Sequence, residues 1–279
     1  MFNIGYRAIY QKNIRSAIKE AKKHGFKVLE IHLTSPQFMP FQYSVSKLDS
    51  LKDFARKQDI ILQVHAPLEQ SLIFTNKELR KGAKRQIEEM VKFCKNLGAR
   101  CLILHPGKAA IYHTANGEKL KDDNIYSKFY SKLFEDSIKH IISIVPKDLF
   151  ICIENADNFT PQYQKVLDKY LPSGKVFLTW DIRKNYSYTT NELIEEQWRF
   201  VQKNIDYVKN LHISGFATTH GNLKGWEDKF YRFFDLFSDR NLPMIIEISP
   251  LKYAKQAKDI ISKIEKKTKK GFHKRTLHY

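Results

Sequence analysis

Cysteine is scarce, long apolar runs are missing, and no glycine-rich loop follows the first strand-like run. The three cysteines, Cys94, Cys101 and Cys152, form no CxxC pair in 279 residues. Each lies in an apolar setting that suits a buried, reduced thiol, so a disulfide framework is not indicated. No apolar stretch approaches the roughly 20 residues that span a bilayer. The segment MFNIGYRAIYQKNIRSAIKE lacks the apolar stretch of a secretory signal. The expectation is a cytoplasmic protein without a membrane partner. The missing glycine-rich fingerprint counts against a dinucleotide site. Acidic residues are also in short supply, 30 against 48 basic ones, for a net charge of +18. Such a charge suits DNA or a phosphorylated substrate, or it merely solvates helices. The lysines are widely spread, densest in KIEKKTKKGFHKR, and no stripe of arginine interleaved with aromatics stands out, which favours solvation.

What is present is a regular alternation. Apolar runs occur at FNIGY, KVLEIHL, IILQVHA, CLILHPG, FICIENA, VFLTWDI, LHISGF and MIIEIS. Most are separated by amphipathic stretches such as NIRSAIKEAKKHG and LRKGAKRQIEEMVKFCKNLG, with Gly25 and Gly98 where helix C-caps belong. The runs are rich in Ile, Val and Leu and mostly lack polar alternation, as strands buried on both faces do. Eight β-then-α units in 279 residues predict a single-domain (β/α)8 TIM barrel over residues 1–279. Residues 268–279 read as a frayed basic tail. Two loops are expected on the catalytic rim: Pro106 to about Asn124, and SPQFMPFQYS after the second run.

Polar residues close several of these runs. Glu154, Asp181, His212 and Glu247 each sit near the C-terminal end of one, and so do His65 and His105. In a barrel of this kind the chemistry lies at the C-terminal ends of the strands. A carboxylate ending a buried apolar run is costly unless compensated. One alone caps a helix or pairs with a lysine; three at different strands are explained economically by a divalent ion with histidine nitrogen beside it. His65 in HAP and His105 in HPG each have a proline close behind, marking a strand end with the histidine at its tip. Glu30 and His32 end the second run and either face the same rim or bond a neighbouring strand. Trp180, Trp226 and Tyr6 suit either an apolar wall of the site or the core; His113 and Tyr112 lie in the first rim loop.

Taken in order, HAPL, HPG, IEN, WDIRK, LHIS, THGNLKG and IIE resemble the xylose-isomerase-like TIM-barrel superfamily. That superfamily includes sugar isomerases and epimerases and the endonuclease IV type of abasic-site nuclease. The resemblance implies a central metal set of Glu154, Asp181, His212 and Glu247. In the nuclease branch His65 and His105 would join Glu154 at a second ion. Three positions depart from the pattern. Lys184 stands where a histidine is usual, Thr218 where an aspartate or arginine is usual, and Gly215 where an aspartate is usual; His220 is kept. Lys184, with Arg183 nearby, would put fixed positive charge where the nuclease holds a third ion, and would suit a phosphate or carboxylate. The leading expectation is a sugar or sugar-phosphate isomerase or epimerase. It would use Zn, Mn, Mg or Co, with Glu154 and Glu247 moving a proton, and Lys184, Arg183 and His220 on the substrate. The alternatives are a phosphodiesterase acting on abasic DNA and a barrel retired to binding.

Overall fold

The computed structural model describes residues 2–216 and 220–269. Its strands are β1 (Asn3–Ala8), β2 (Val28–His32), β3 (Ile61–His65), β4 (Cys101–Leu104), β5 (Ile111–His113), β6 (Lys119–Lys121), β7 (Phe150–Glu154), β8 (Val176–Asp181), β9 (Val208–Ile213) and β10 (Pro243–Ile246). Eight of them close into a parallel barrel in the order β1-β10-β9-β8-β7-β4-β3-β2. The strands β5 and β6 stand outside it as an antiparallel hairpin. Around the barrel run α1 (Ile14–Lys23), α2 (Val45–Lys57), α3 (Lys77–Leu97), the single turn α4 (Asp122–Ile125), α5 (Ser127–Ile144), α6 (Pro161–Tyr170), α7 (Glu195–Lys203), α8 (Glu227–Phe237) and α9 (Leu251–Lys269). This is the (β/α)8 TIM barrel that the alternation predicts.

The helices follow from their sequences. The Asn76 side chain accepts from Glu78 N and Leu79 N and so starts α3. The helix buries Ala83, Ile87, Met90, Val91, Cys94 and Leu97, one stripe at three- and four-residue spacing. Gly98 ends it at φ +68, a left-handed cap that favours glycine. In α8, Phe230, Phe233, Phe234 and Phe237 repeat the same spacing and are buried. These stripes and the outward strand residues form the large core between barrel and helices.

The barrel interior has its own layers, because alternate strand residues face inward. Cys101, Ile103, Cys152 and Phe177 form a separate buried cluster with Phe150 against it. They occupy the strand face that carries His105, Glu154 and Asp181, one or two pleats earlier, so they fill the space beneath those residues. Cys101 Sγ and Cys152 Sγ lie 3.1 Å apart as free thiols. Above them is a polar layer. Gln63 Nε2 donates to Glu30 Oε2 at 2.8 Å and to Asn210 Oδ1 at 3.2 Å. Asn210 Nδ2 donates to Thr179 Oγ1 at 3.4 Å.

Two expectations need correcting. The stretch from Pro106 to Asn124 is not irregular: it folds into the β5–β6 hairpin and the start of α4. Its strand residues are exposed, including His113 and Tyr112, so the backbone pairs with itself instead of packing on the barrel. The expected tail from 268 is also shortened. Helix α9 runs to Lys269, with Thr268 bonded to Ile264 O; residues 270–279 lie outside the described residues, as does Thr218.

Candidate metal centre

Each barrel strand delivers one ionisable residue to the mouth. They are Arg7 (β1), His32 (β2), His65 (β3), His105 (after β4), Glu154 (β7), Asp181 (β8), His212 (β9) and Glu247 (after β10). Register accounts for the convergence. Arg7 pairs with Glu30, His32 with His65, and Asp181 with His212. All but Arg7 and His105 are buried, and those two have side chains 11% and 17% exposed.

Three imidazoles point at one carboxylate oxygen. His65 Nε2 and His105 Nε2 lie 3.2 Å from Glu154 Oε2, and His212 Nδ1 lies 3.3 Å from it. The same His212 Nδ1 is 3.7 Å from Glu247 Oε1. The rings are held from behind. His65 Nδ1 donates to Ala66 O at 2.7 Å, which turns Nε2 toward Glu154. His212 Nε2 donates to Glu30 Oε2 at 2.9 Å, which turns Nδ1 toward the two mouth glutamates. That Nδ1 is buried and has no hydrogen-bond partner among the described residues.

The electrostatics follow from packing four carboxylates and several nitrogens into one buried layer. Burial pushes the Glu154 carboxyl up, but His212 and His105 outweigh it and hold it well below the usual range. Burial also raises Glu247, yet Arg7 and then His212 bring it down to about 2. Arg7 Nη1 donates to Glu247 Oε1 at 3.1 Å. Asp181 has no such protection: burial, then Glu247, push it up to about 7 against the pull of Lys184. Burial disfavours a charged His212, but Glu30, Glu154 and Glu247 raise it well above 6.5. In metal-free protein, a proton on Nδ1 offsets carboxylates that a cation would otherwise hold.

A divalent ion fits this donor set. Three groups offer ligand atoms within 4.8 Å of one another: His65, His105 and Glu154; Glu154, Asp181 and Glu247; and Glu30, His212 and Glu247. Glu30 is already engaged by Gln63 and His212. Its carboxylate orients the His212 ring from behind.

The remaining expected residues divide. Lys184 is half-buried; burial disfavours its charge, but Asp181 and Tyr188 keep it protonated. His220 Nδ1 is 4.0 Å from Glu247 Oε2, on an imidazole 42% exposed. Arg183 is a correction. Its guanidinium is buried, donates to Tyr186 O at 3.0 Å and sits over Tyr188 and Phe216, 4.1 and 4.6 Å from their ring centroids. It supports the loop after β8 and does not reach out to a substrate. Trp180 and Tyr6 are core residues, their polar atoms spent on Asn185 Oδ1 and Ala17 O; Trp226 stacks on Phe216. At Gly215 a Cβ would collide with the backbone oxygen of Asn222, so an aspartate cannot occupy that position without moving the loop. Arg7 and the role of Glu30 escaped the sequence reading. The strand-end rule applied to the first run, where Arg7 follows Gly5 by one pleat, would have found Arg7.

A family profile described as xylose isomerase-like TIM barrel matches residues 18–266. No curated protein matches the chain. Among solved structures, a D-tagatose 3-epimerase-like protein superposes with a TM-score of 0.74 at 17% identity, covering 97% of this chain and 100% of its own. Endonuclease IV from Thermus thermophilus gives 0.67 at 12% identity, with 94% and 99% covered. The 3-keto-D-glucoside 4-epimerase from E. coli gives 0.66 at 13%, with 95% and 100% covered. At these identities the likeness speaks for the fold.

Proposed function

Because the chain belongs to the xylose isomerase-like TIM-barrel family, we propose that it is a metal-dependent sugar or sugar-phosphate isomerase or epimerase. The observation that carries this reading is the pair of buried glutamates, Glu154 and Glu247, that both approach His212 Nδ1, at 3.3 and 3.7 Å. Both are held ionised, the state that accepts a proton. One glutamate takes the proton from the carbon beside the substrate carbonyl; the other, after taking a proton from water at the mouth, returns that proton to the carbon. His212 and Asp181 complete the ligand set with the two glutamates. A divalent ion bound there, Mn, Mg, Co or Zn, would stabilise negative charge developing on the substrate oxygens. Lys184 and His220 contact the substrate from the rim. Lys184→Ala then raises KM for a phosphorylated substrate; unchanged KM and kcat remove that role.

The test follows substrate C–H exchange in heavy water, across a panel of ketoses, with metal-replete protein. Wild type incorporates deuterium, and Glu154→Gln and Glu247→Gln each lose about a hundredfold or more in rate. Metal analysis finds about one ion per chain, lost in Glu154→Ala. Failure of any ketose to exchange removes the reading.

A metal-dependent phosphodiesterase acting on abasic DNA is the second reading. Its supporting observation is the placement of His65 and His105, both 3.2 Å from Glu154 Oε2, which suits a glutamate shared by two ions. Two zinc ions per chain with cleavage of abasic duplex would favour it.

A further inference from the structure

Two of the eight mouth positions fall in none of the ion-binding groups: Arg7 on β1 and His32 on β2. These strands are neighbours, so the two side chains form one sector of the rim, between Glu247 and His65. Both carry unspent nitrogen. Arg7 Nε and His32 Nε2 are buried and have no hydrogen-bond partner among the described residues. Buried polar atoms without partners are few in folded proteins, and each needs an explanation. Arg7 spends Nη1 on Glu247, but a guanidinium has five N–H donors in a planar fork. His32 cannot turn away to find a partner. Its ring is stacked on His65 with centroids 4.3 Å apart and planes 13° from parallel.

We propose that Arg7 and His32 form a binding sector for an anionic oxygen group, a carboxylate or a phosphate, carried by the substrate. The inference rests on the reading of the mouth as a substrate site. A neutral sugar hydroxyl needs no guanidinium, and burying one costs heavily unless charge and geometry are matched. The planar fork fits two oxygens of one anion, which a lysine does not. Glu247 uses one edge of Arg7, and Nε lies on another. Arg7 and His220 both approach Glu247, at 3.1 and 4.0 Å from its two carboxylate oxygens. The donors left for an anion in this sector are Arg7 Nε, off the edge that Glu247 uses, and His32 Nε2.

Calorimetric titration of metal-replete protein with D-fructose, D-fructose 6-phosphate and D-glucuronate tests this. At least one anion should bind wild type about tenfold or more tightly than fructose, and the pair of anions tells phosphate from carboxylate. Arg7→Gln should abolish the preference, the anions losing about tenfold or more beyond whatever fructose affinity is lost by leaving Glu247 unpaired. A residue that only offsets Glu247 would shift all three alike. Arg7→Gln leaves Glu247 without its partner and can unfold the protein, so two further variants are needed. Arg7→Lys keeps charge without the fork and should retain part of the preference. His32→Phe keeps the stack on His65 without the nitrogen and should weaken anion binding several-fold. Fructose binding as tightly as both anions, or an undiminished preference in Arg7→Gln and Arg7→Lys, overturns the proposal. The two readings fail separately. Deuterium exchange into a neutral ketose without anion preference sinks the Arg7 sector and leaves the reaction. Arg7-dependent anion binding without exchange into any ketose does the reverse.

Discussion

His212 illustrates how single contacts decide chemistry in this mouth. Its Nε2 is committed to Glu30, so its Nδ1 has to face Glu154 and Glu247. Glu30→Gln weakens that hold by removing the carboxylate charge. Metal affinity should fall about 10- to 100-fold, the usual cost of losing such an orienting partner. Competition with a chelating dye measures it, and an unchanged affinity would assign Glu30 to the barrel floor alone. Asp181 gives a pH dependence whose sign can be worked out. In metal-free folded protein its carboxyl is pushed from 3.8 up to about 7. Between those values the folded state holds a proton that the unfolded chain lacks. The stabilisation is complete below the unfolded value and is lost as pH rises through about 7. Asp181→Asn, with chelator present, should therefore show a Tm that falls less than wild type between about pH 5 and pH 8. Identical slopes would place the titrating group elsewhere.

At the scale of elements, the helices and the hairpin behave differently. Helix α8 buries four phenylalanines on one face, and Phe234 meets Phe2 edge-on at 5.1 Å. Phe234→Ala should cost roughly 3–5 kcal/mol by denaturant unfolding, because the ring leaves a cavity its neighbours fill only in part. The β5–β6 hairpin carries exposed residues on both strands. Replacing residues 111–121 with a short flexible linker should change stability by less than about 1 kcal/mol. Retention of the ordinary melting transition checks this. The amphipathic stretch that became α3 was legible in advance, since apolar residues three and four apart can be read without a partner. The hairpin was not, because its strands are three residues long and pair only with each other.

Across the whole molecule, charge is the property that most separates the two functional readings. The net charge of +18 is carried by lysines spread along the chain, and the mouth itself is rich in carboxylates. Counterion release makes any such DNA binding weaken steeply with salt and ignore sequence. A protein using its charge for solvation should bind abasic and intact duplex with equal, weak, salt-sensitive affinity in a filter or anisotropy titration. Clear preference for the abasic duplex at physiological salt would turn the argument toward the nuclease reading.

The sequence by itself determined the barrel, because eight β-then-α units of this length have few other ways to bury both faces of a parallel sheet. It also marked Glu154, Asp181, His212, Glu247, His65 and His105, since a polar residue ending a buried run is conspicuous in one dimension. Only the tertiary structure decided which side chains meet. Register brought Arg7 and His32 into the same ring as those six. Closure of the barrel carried Glu30 across to His212, 182 positions away. Packing of the loop after β8 turned Arg183 inward while Lys184 remained beside Asp181. Distances between strands depend on pairing and closure, and neither is written in local sequence.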